Sequence, residues 1–321
     1  METITVNPTN RLELTSSPHM HSHWSTKQAM WLVVAGLIPP MVSAAVFWGL
    51  YQLLIVLVSV VFALATELAV KKIRKRKISV EDGSAVITGI LLGLVLPPNF
   101  SLSATAIGAV FAIAIGKEIF GGLGYNIFNP ALAGRAFLQA AFPVAMTTWS
   151  KPNFAVDSIT SATPLSAYKF DKILTQINPM IIGNIGGSIG ETSALAILLG
   201  GIFLIIIGIV NWRIPAGMII GMIVSSGIFW IADPLKYPNP LYHIFAGGFL
   251  LGAFFMATDW VTSPVTKKGM WIFGICISLL VFTIRTFGGL PEGVMYAILI
   301  MNGFVPIINR YTMPRIFGVT K

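Results

Sequence analysis

The sequence predicts an all-α polytopic membrane protein: about ten transmembrane helices arranged as two inverted five-helix repeats. Three observations carry this expectation. The 321 residues are 55% hydrophobic and only 10% charged, with a mean hydropathy of +0.81, whereas soluble domains carry roughly 25% charged residues. Apolar runs long enough to cross about 30 Å of hydrocarbon recur along the chain. Lysine and arginine are confined almost entirely to alternate connections between those runs.

The runs fall at 28–49, 51–70, 84–98, 103–120, 126–145, 192–210, 214–232, 241–258, 270–287 and 292–309. The third is short and ends in Pro97-Pro98, as a half-span helix would. The fifth holds Asn129-Pro130 and Arg135, unusual in a lipid-facing helix, and reads as a helix broken at the proline. The remaining organisation follows: an N-terminal segment (1–27), a first membrane repeat (28–145), a polar connection (146–191), a second repeat (192–310) and a tail (311–321). Residues 1–26 lack the apolar stretch of a secretory signal, so no cleaved leader is expected. The single cysteine, Cys276, cannot close an intrachain disulfide or supply the four ligands of an iron–sulfur cluster.

Basic residues set the expected orientation. With the N-terminus in the cytoplasm, fifteen lysines and arginines lie inside, including the run Lys71-Lys72-Ile73-Arg74-Lys75-Arg76-Lys77. Only Lys151, Lys169, Lys172 and Lys236 lie outside. Both termini are then cytoplasmic and residues 146–191 are outside. The basic run reads as a stop-transfer anchor beside anionic membrane lipid, not as a nucleic-acid patch.

The halves echo one another. Gly89-Ile90-Leu91-Leu92-Gly93 resembles Gly248-Phe249-Leu250-Leu251-Gly252, and Phe120-Gly121-Gly122 resembles Phe287-Gly288-Gly289, at similar offsets. Five spans per half is odd, so the repeats would be inverted, with functional sites near the midplane where helices are interrupted.

Several polar residues stand out. In the outer connection, Asp157-Ser158-Ile159-Thr160-Ser161-Ala162-Thr163-Pro164-Leu165 is a short polar stretch. Pro164 biases Thr163 towards extended backbone, and Asp157 can act as a base or help hold a metal ion. On residues alone the stretch also fits an ordinary Ser/Thr-rich turn. Asn126, Asn129 and Arg135 are costly in an apolar helix unless they face protein, water or ligand. They suit either a bound ligand or carbonyls freed by Pro130. Lys117 and Glu118 either line a polar cavity between the halves or snorkel at a helix end. Glu67 suits a proton or ion relay, or a simple i,i+4 pair with Lys71. His19, His21 and His23 alternate in the N-terminal segment, compatible with weak metal binding or a solvated tail. No Walker loop or dinucleotide fingerprint is present, so NADH oxidation has no place in this chain.

The chain resembles the NqrB/RnfD family. The likeness rests on Ser17-Pro18-His19, Asp82-Gly83-Ser84-Ala85-Val86-Ile87-Thr88-Gly89, Leu96-Pro97-Pro98, Gly116-Lys117-Glu118, Phe120-Gly121-Gly122-Leu123-Gly124, Asn129-Pro130-Ala131 and Ser161-Ala162-Thr163-Pro164-Leu165. It covers nearly the whole chain, and the length favours the RnfD branch. One departure is Thr160 immediately before Ser161-Ala162.

The resemblance implies a urea-transporter-like fold and FMN esterified through its phosphate to Thr163 by a flavin transferase, with Asp157, Ser161, Ala162 and Pro164 framing the attachment. It also implies a second, non-covalent flavin (riboflavin) in the bundle, near Asn126, Asn129 and Arg135. The function implied is electron relay in an ion-translocating ferredoxin:NAD+ oxidoreductase of a prokaryotic cytoplasmic membrane, alongside the other Rnf complex subunits (A, B, C, E and G). Alternatives are an NqrB-like component of a sodium-pumping NADH:quinone reductase and a stand-alone urea-transporter-like channel.

Overall fold

The structure is a computed structural model that describes residues 24–76, 80–150 and 162–314. In chain order the helices are α1 (Thr26–Trp48), α2 (Leu50–Ile73), α3 (Ser84–Leu94), α4 (Leu102–Ile113, extended by a π-helical turn Ala114–Glu118), α5 (Pro130–Ala141) and α6 (Pro143–Thr147). There follow α7 (Pro164–Ser166, extended by a π-helical turn Ala167–Asp171), α8 (Ile177–Ile182), a 3-10 turn (Ile189–Glu191), α9 (Ala194–Ile207), α10 (Arg213–Ala232) and α11 (Pro240–Phe245). The last are α12 (Phe249–Leu251, extended by a π-helical turn Gly252–Met256), α13 (Lys267–Phe287) and α14 (Val294–Thr312). No β-strand is present among the described residues.

Five of these helices, α1, α2, α10, α13 and α14, are long and apolar enough to cross a membrane. They expose Leu57, Val61, Ile228 and Ile300 among many other apolar side chains. A helix apolar on all sides is at home in lipid, not in water. The other five predicted spans fall on shorter helices. These surround a core in which α3 and α12 are almost entirely buried.

The local chemistry explains where the helices start. Ser25 caps α1, its Oγ accepting from Gln28 N at 3.2 Å while Gln28 Oε1 accepts from Ser25 N at 3.0 Å. Asn129 caps α5, its Oδ1 accepting from Ala131 N at 3.0 Å and Leu132 N at 3.3 Å. Pro130 is therefore the first residue of α5 and not a break inside it. A proline there lacks only an N–H that would have had no helical partner, so it frees no carbonyl.

Two further expectations need correction. The run 241–258 is not one helix. It is split at Ala246–Gly248 between α11 and α12, and Arg285 fills the gap by donating to the carbonyls of His243 and Ala246 (2.9 Å for the latter). The connection 146–191 is not a surface loop throughout. From Ile185 to Thr192 the chain is buried, and Gly190 allows its close approach to α3: a Cβ there would lie 2.8 Å from Leu94 Cβ. Ile189 N donates to Leu96 O at 3.0 Å, tying this turn to the end of α3.

α1 and α9 cross where Gly36 meets Gly200. A Cβ placed on Gly200 would lie 1.9 Å from the Gly36 carbonyl oxygen. Backbone cannot yield as a side chain can, so this crossing requires glycine. Gly200→Ala should destabilise the fold by roughly 1–3 kcal/mol or more and lower the thermal midpoint in detergent. Ile206→Ala, on an exposed position of the same helix, should leave the midpoint within a degree or two of wild type.

Candidate functional site

Two cavities open off α5, one at each end. One, the outer in the expected orientation, is lined by Arg135, Gln139, Met146, Thr147, Trp149, Thr163, Leu290, Pro291, Glu292, Met295 and Tyr296. It therefore joins two residues singled out in the sequence, Thr163 and Arg135, which are far apart along the chain.

Thr163 is extended (φ −66°, ψ 156°) as Pro164 dictates, and it caps α7. Its hydroxyl is not on open display. Thr163 is only 4% exposed; its Oγ1 accepts from Ser166 N at 3.2 Å and donates to Ser166 Oγ at 2.9 Å. The segment is held down from beneath. Leu165 packs with Met180, Ile185, Tyr242 and Ala246, and the Tyr242 hydroxyl donates to the Pro164 carbonyl. Just beyond, Lys169 Nζ donates to the carbonyls of Arg285 (3.0 Å), Gly288 and Leu290 (2.9 Å), closing the C-terminus of α13. Burial against this backbone, with Lys172 nearby, pulls the Lys169 pKa below the ordinary lysine value. Ala162 is exposed beside Thr163; Asp157 and Ser161 lie outside the described residues.

Arg135 is buried on α5. Its Nη2 donates to Glu292 Oε2 at 2.7 Å, and its Nη1 lies 3.9 Å from Glu191 Oε1. Glu191 abuts the start of α12: a Cβ on Gly248 would meet its Oε1 at 2.6 Å. Arg285, buried on α13, feels the field of both carboxylates. Two arginines and two carboxylates thus balance within the bundle, as hydrocarbon surroundings demand.

The other cavity, the inner in the same expected orientation, lies between the two halves of the chain. Ala29–Val33 of α1, Ser84–Leu91 of α3 and the start of α5 form one side. Leu204, Val210, Phe254, Phe255 and Asp259–Val261 form the other. Lys117 reaches it from α4. Its Nζ donates to Glu67 Oε1 at 3.0 Å and to Ser84 Oγ at 2.6 Å, and Glu67 also pairs with Lys71. Lys117 therefore lines a cavity and is not a snorkelling side chain. Opposite it, the half-buried Asp259 accepts from Thr262 Oγ1 at 3.0 Å, while the Asn126 amide donates to the Phe128 carbonyl at 3.2 Å.

Asn126, Asn129 and Arg135 do not form one site. The first two line the inner cavity and Arg135 the outer one; Asn129 and Arg135 stand about 9 Å apart along α5. Asn129 has its own structural duty. Besides capping α5 it donates from Nδ2 to Met256 O at 3.2 Å, bridging the two halves.

Sequence reasoning passed over Glu292, Glu191, Asp259, Trp149 and Tyr296. A signal existed for the carboxylates: each is an acidic residue inside an apolar stretch, and Ser188 three residues before Glu191 has capping-box spacing. The aromatics carried none.

A buried constellation of this kind in an all-helical bundle with five helices fit to cross a membrane defines a polytopic membrane protein with cavities between its helices. Residues 13–318 match the model of the NQR2, RnfD, RnfE family, and the chain belongs to that family. It is 42% identical over 323 residues to the D subunit of the proton-translocating ferredoxin:NAD(+) oxidoreductase complex of Clostridium ljungdahlii, covering 97% of this chain and 98% of that one. It is 43% identical over 318 residues to the D subunit of the Na(+)-translocating ferredoxin:NAD(+) oxidoreductase complex of Acetobacterium woodii, with the same coverage. The D subunit of the ion-translocating oxidoreductase complex of Cronobacter sakazakii is 35% identical over 95% of this chain and 98% of its own length.

Glu67 is fully buried and is the counter-charge for Lys117. Glu67→Gln should cost roughly 3–5 kcal/mol, the usual penalty for stranding a buried charge, seen as a lower thermal midpoint. The double variant Glu67→Gln/Lys117→Met should recover much of the loss.

Proposed function

We propose that this chain is the D subunit of an ion-translocating ferredoxin:NAD+ oxidoreductase complex in a prokaryotic cytoplasmic membrane, carrying FMN in phosphoester linkage on Thr163. Family membership, and relatives that bear the name of that subunit and align over almost their full length, support the complex. The observation that carries the flavin is the shared cavity of Thr163 and Arg135.

The residues present fit such a group. Trp149, Tyr296, Met146 and Met295 offer the flat and polarisable surfaces an isoalloxazine ring packs against. Arg135 offers a cation for the phosphate, and its Nε has no partner among the described residues. Once bound, the flavin supplies reversible one- and two-electron chemistry. The chain's part is to fix the attachment point through the α7 cap, exclude water with the aromatic and methionine walls, and balance charge with the buried arginines. Since Thr163 is buried and hydrogen-bonded here, a flavin transferase must meet this segment before it docks on Tyr242 and, through Lys169, on the end of α13. The further partners are the other Rnf complex subunits (A, B, C, E and G).

The inner cavity suits a second, non-covalent flavin such as riboflavin. Phe254, Phe255, Leu91 and Leu204 supply apolar walls, and Thr88, Asn126 and Asp259 supply polar edges. Asn129 lines this cavity with its side-chain amide already engaged.

A ten-span inverted repeat of urea-transporter type is the architecture we assign. In its support, α10, α12, α13 and α14 begin at nearly constant displacement from α2, α3, α4 and α5. α1 and α9, the remaining counterparts, cross at Gly36 and Gly200. The Phe120–Gly122 and Phe287–Gly289 echoes follow equivalent helices. The Gly89–Gly93 and Gly248–Gly252 echo does not, because Gly89 lies inside α3 and Gly248 precedes α12. Both termini are assigned to the cytoplasm by the basic-residue bias.

Co-expression with a flavin transferase should add one FMN to the intact mass, with in-gel fluorescence that disappears in Thr163→Ala. Flavin fluorescence surviving that substitution would move the attachment elsewhere. Val33→Trp, which fills the inner cavity, should sharply reduce acid-released flavin while the covalent label persists.

Orientation is checked with single cysteines in a Cys276→Ser background. Asp171→Cys should react with an impermeant thiol reagent in intact cells and Arg76→Cys only after lysis. The reverse pattern would invert the topology.

A further inference from the structure

The outer cavity contains more than an attachment point. Arg285 is committed to backbone, its Nη atoms donating to the carbonyls of His243 and Ala246. Arg135 is not. One of its five N–H donors serves Glu292, the Glu191 contact at 3.9 Å is beyond hydrogen-bond reach, and Nε has no partner among the described residues. Glu292 in turn has one oxygen, Oε1, without a partner among those residues. Glu292 sits on the connection from α13 to α14, whose carbonyls Lys169 grips. Lys169 belongs to the helical segment that Thr163 caps. One continuous set of contacts therefore ties the Thr163 segment to the carboxylate that now occupies Arg135.

We propose that Arg135 seats the phosphodiester that joins Thr163 to its flavin, and that Glu292 holds this guanidinium in place in the unmodified chain. The inference rests on flavinylation of Thr163. A phosphodiester carries one negative charge and two non-bridging oxygens. A planar guanidinium with unused donors matches them better than an ammonium does, since its fork binds both oxygens at once. Gln139, one turn further along α5, lines the same wall and adds a neutral donor. In a site this poorly hydrated an unpaired diester charge is costly, so the pairing fixes where the tether lies. Arg135 is then a positioning residue. It sets the placement of the flavin, whereas Thr163 provides the bond.

The test uses the full chain co-expressed with a flavin transferase, as wild type, Glu292→Gln, Arg135→Lys and Arg135→Gln/Glu292→Gln. The double variant keeps the buried charge balance, and a cooperative thermal transition verifies folding. Intact mass reports attachment; acrylamide quenching and anisotropy of the tethered flavin report its placement. Wild type and Glu292→Gln should hold a shielded, immobile flavin. The double variant should keep the mass increment while quenching rises several-fold and anisotropy falls, with Arg135→Lys between. A folded, modified double variant whose quenching and anisotropy match wild type overturns the seat but leaves the attachment standing. A wild type without any mass increment overturns both.

Discussion

Charge neutrality inside an apolar bundle is the constraint on which the rest of this structure depends. Glu67, Lys117, Arg135, Glu191 and Arg285 are all nearly or fully buried. Water is not there to solvate them, so each must find its counter-charge or a carbonyl within the protein. Two clusters do this for these five; Glu118, equally buried, stands outside both, with neither carboxylate oxygen partnered among the described residues. At one end Glu67 serves both Lys117 and Lys71. At the other, two arginines face two carboxylates. Because these partners come from α2 with α4, and from α5 with the α13–α14 connection, the pairs also fix how the helices sit against each other.

Interrupted helices give these clusters room. α3 ends at Leu94 and α12 starts at Phe249, leaving free helix ends inside the bundle where a continuous span would present only side chains. The buried turn Ile189–Glu191 fits between them, tied to Leu96 by its backbone. Such irregular backbone is tolerated at depth only where protein covers it or a cavity adjoins it. Arg285 performs the same service at the α11–α12 gap, using side-chain N–H groups on carbonyls that no helix satisfies.

Much of this was legible in the sequence, and what was not has physical reasons. Hydropathy located the five helices long and apolar enough to cross a membrane, because lipid exposure leaves a compositional trace along them. The extended backbone of Thr163 followed from Pro164 alone, since that constraint is local. The pairing of Glu67 with Lys71 followed from helical spacing. Asn129-Pro130 misled, because the same dipeptide serves a broken helix and a capped one; only the neighbouring backbone decides. The split at Ala246–Gly248 was hidden, since the residues on either side are as apolar as a continuous span. The meeting of Thr163 with Arg135, and of both with Glu292, depends on contacts between distant segments, which leave no periodicity to read. Asn126 and Arg135 were grouped by closeness in sequence, but a helix carries neighbours in sequence to different depths.

That last point bears on what the fold can transmit. α5 is the shared wall of the two cavities, with Asn129 at one and Arg135 and Gln139 at the other. Between them the helix presents Pro130, Ala131, Leu132, Ala133 and Gly134, without a polar side chain. A hydrated ion moving along this face would have to give up its water with nothing to replace it, at a cost of several kcal/mol or more. On α5, then, the two cavities share one short helix, and the residues between them offer no polar side chain that would connect one cavity with the other.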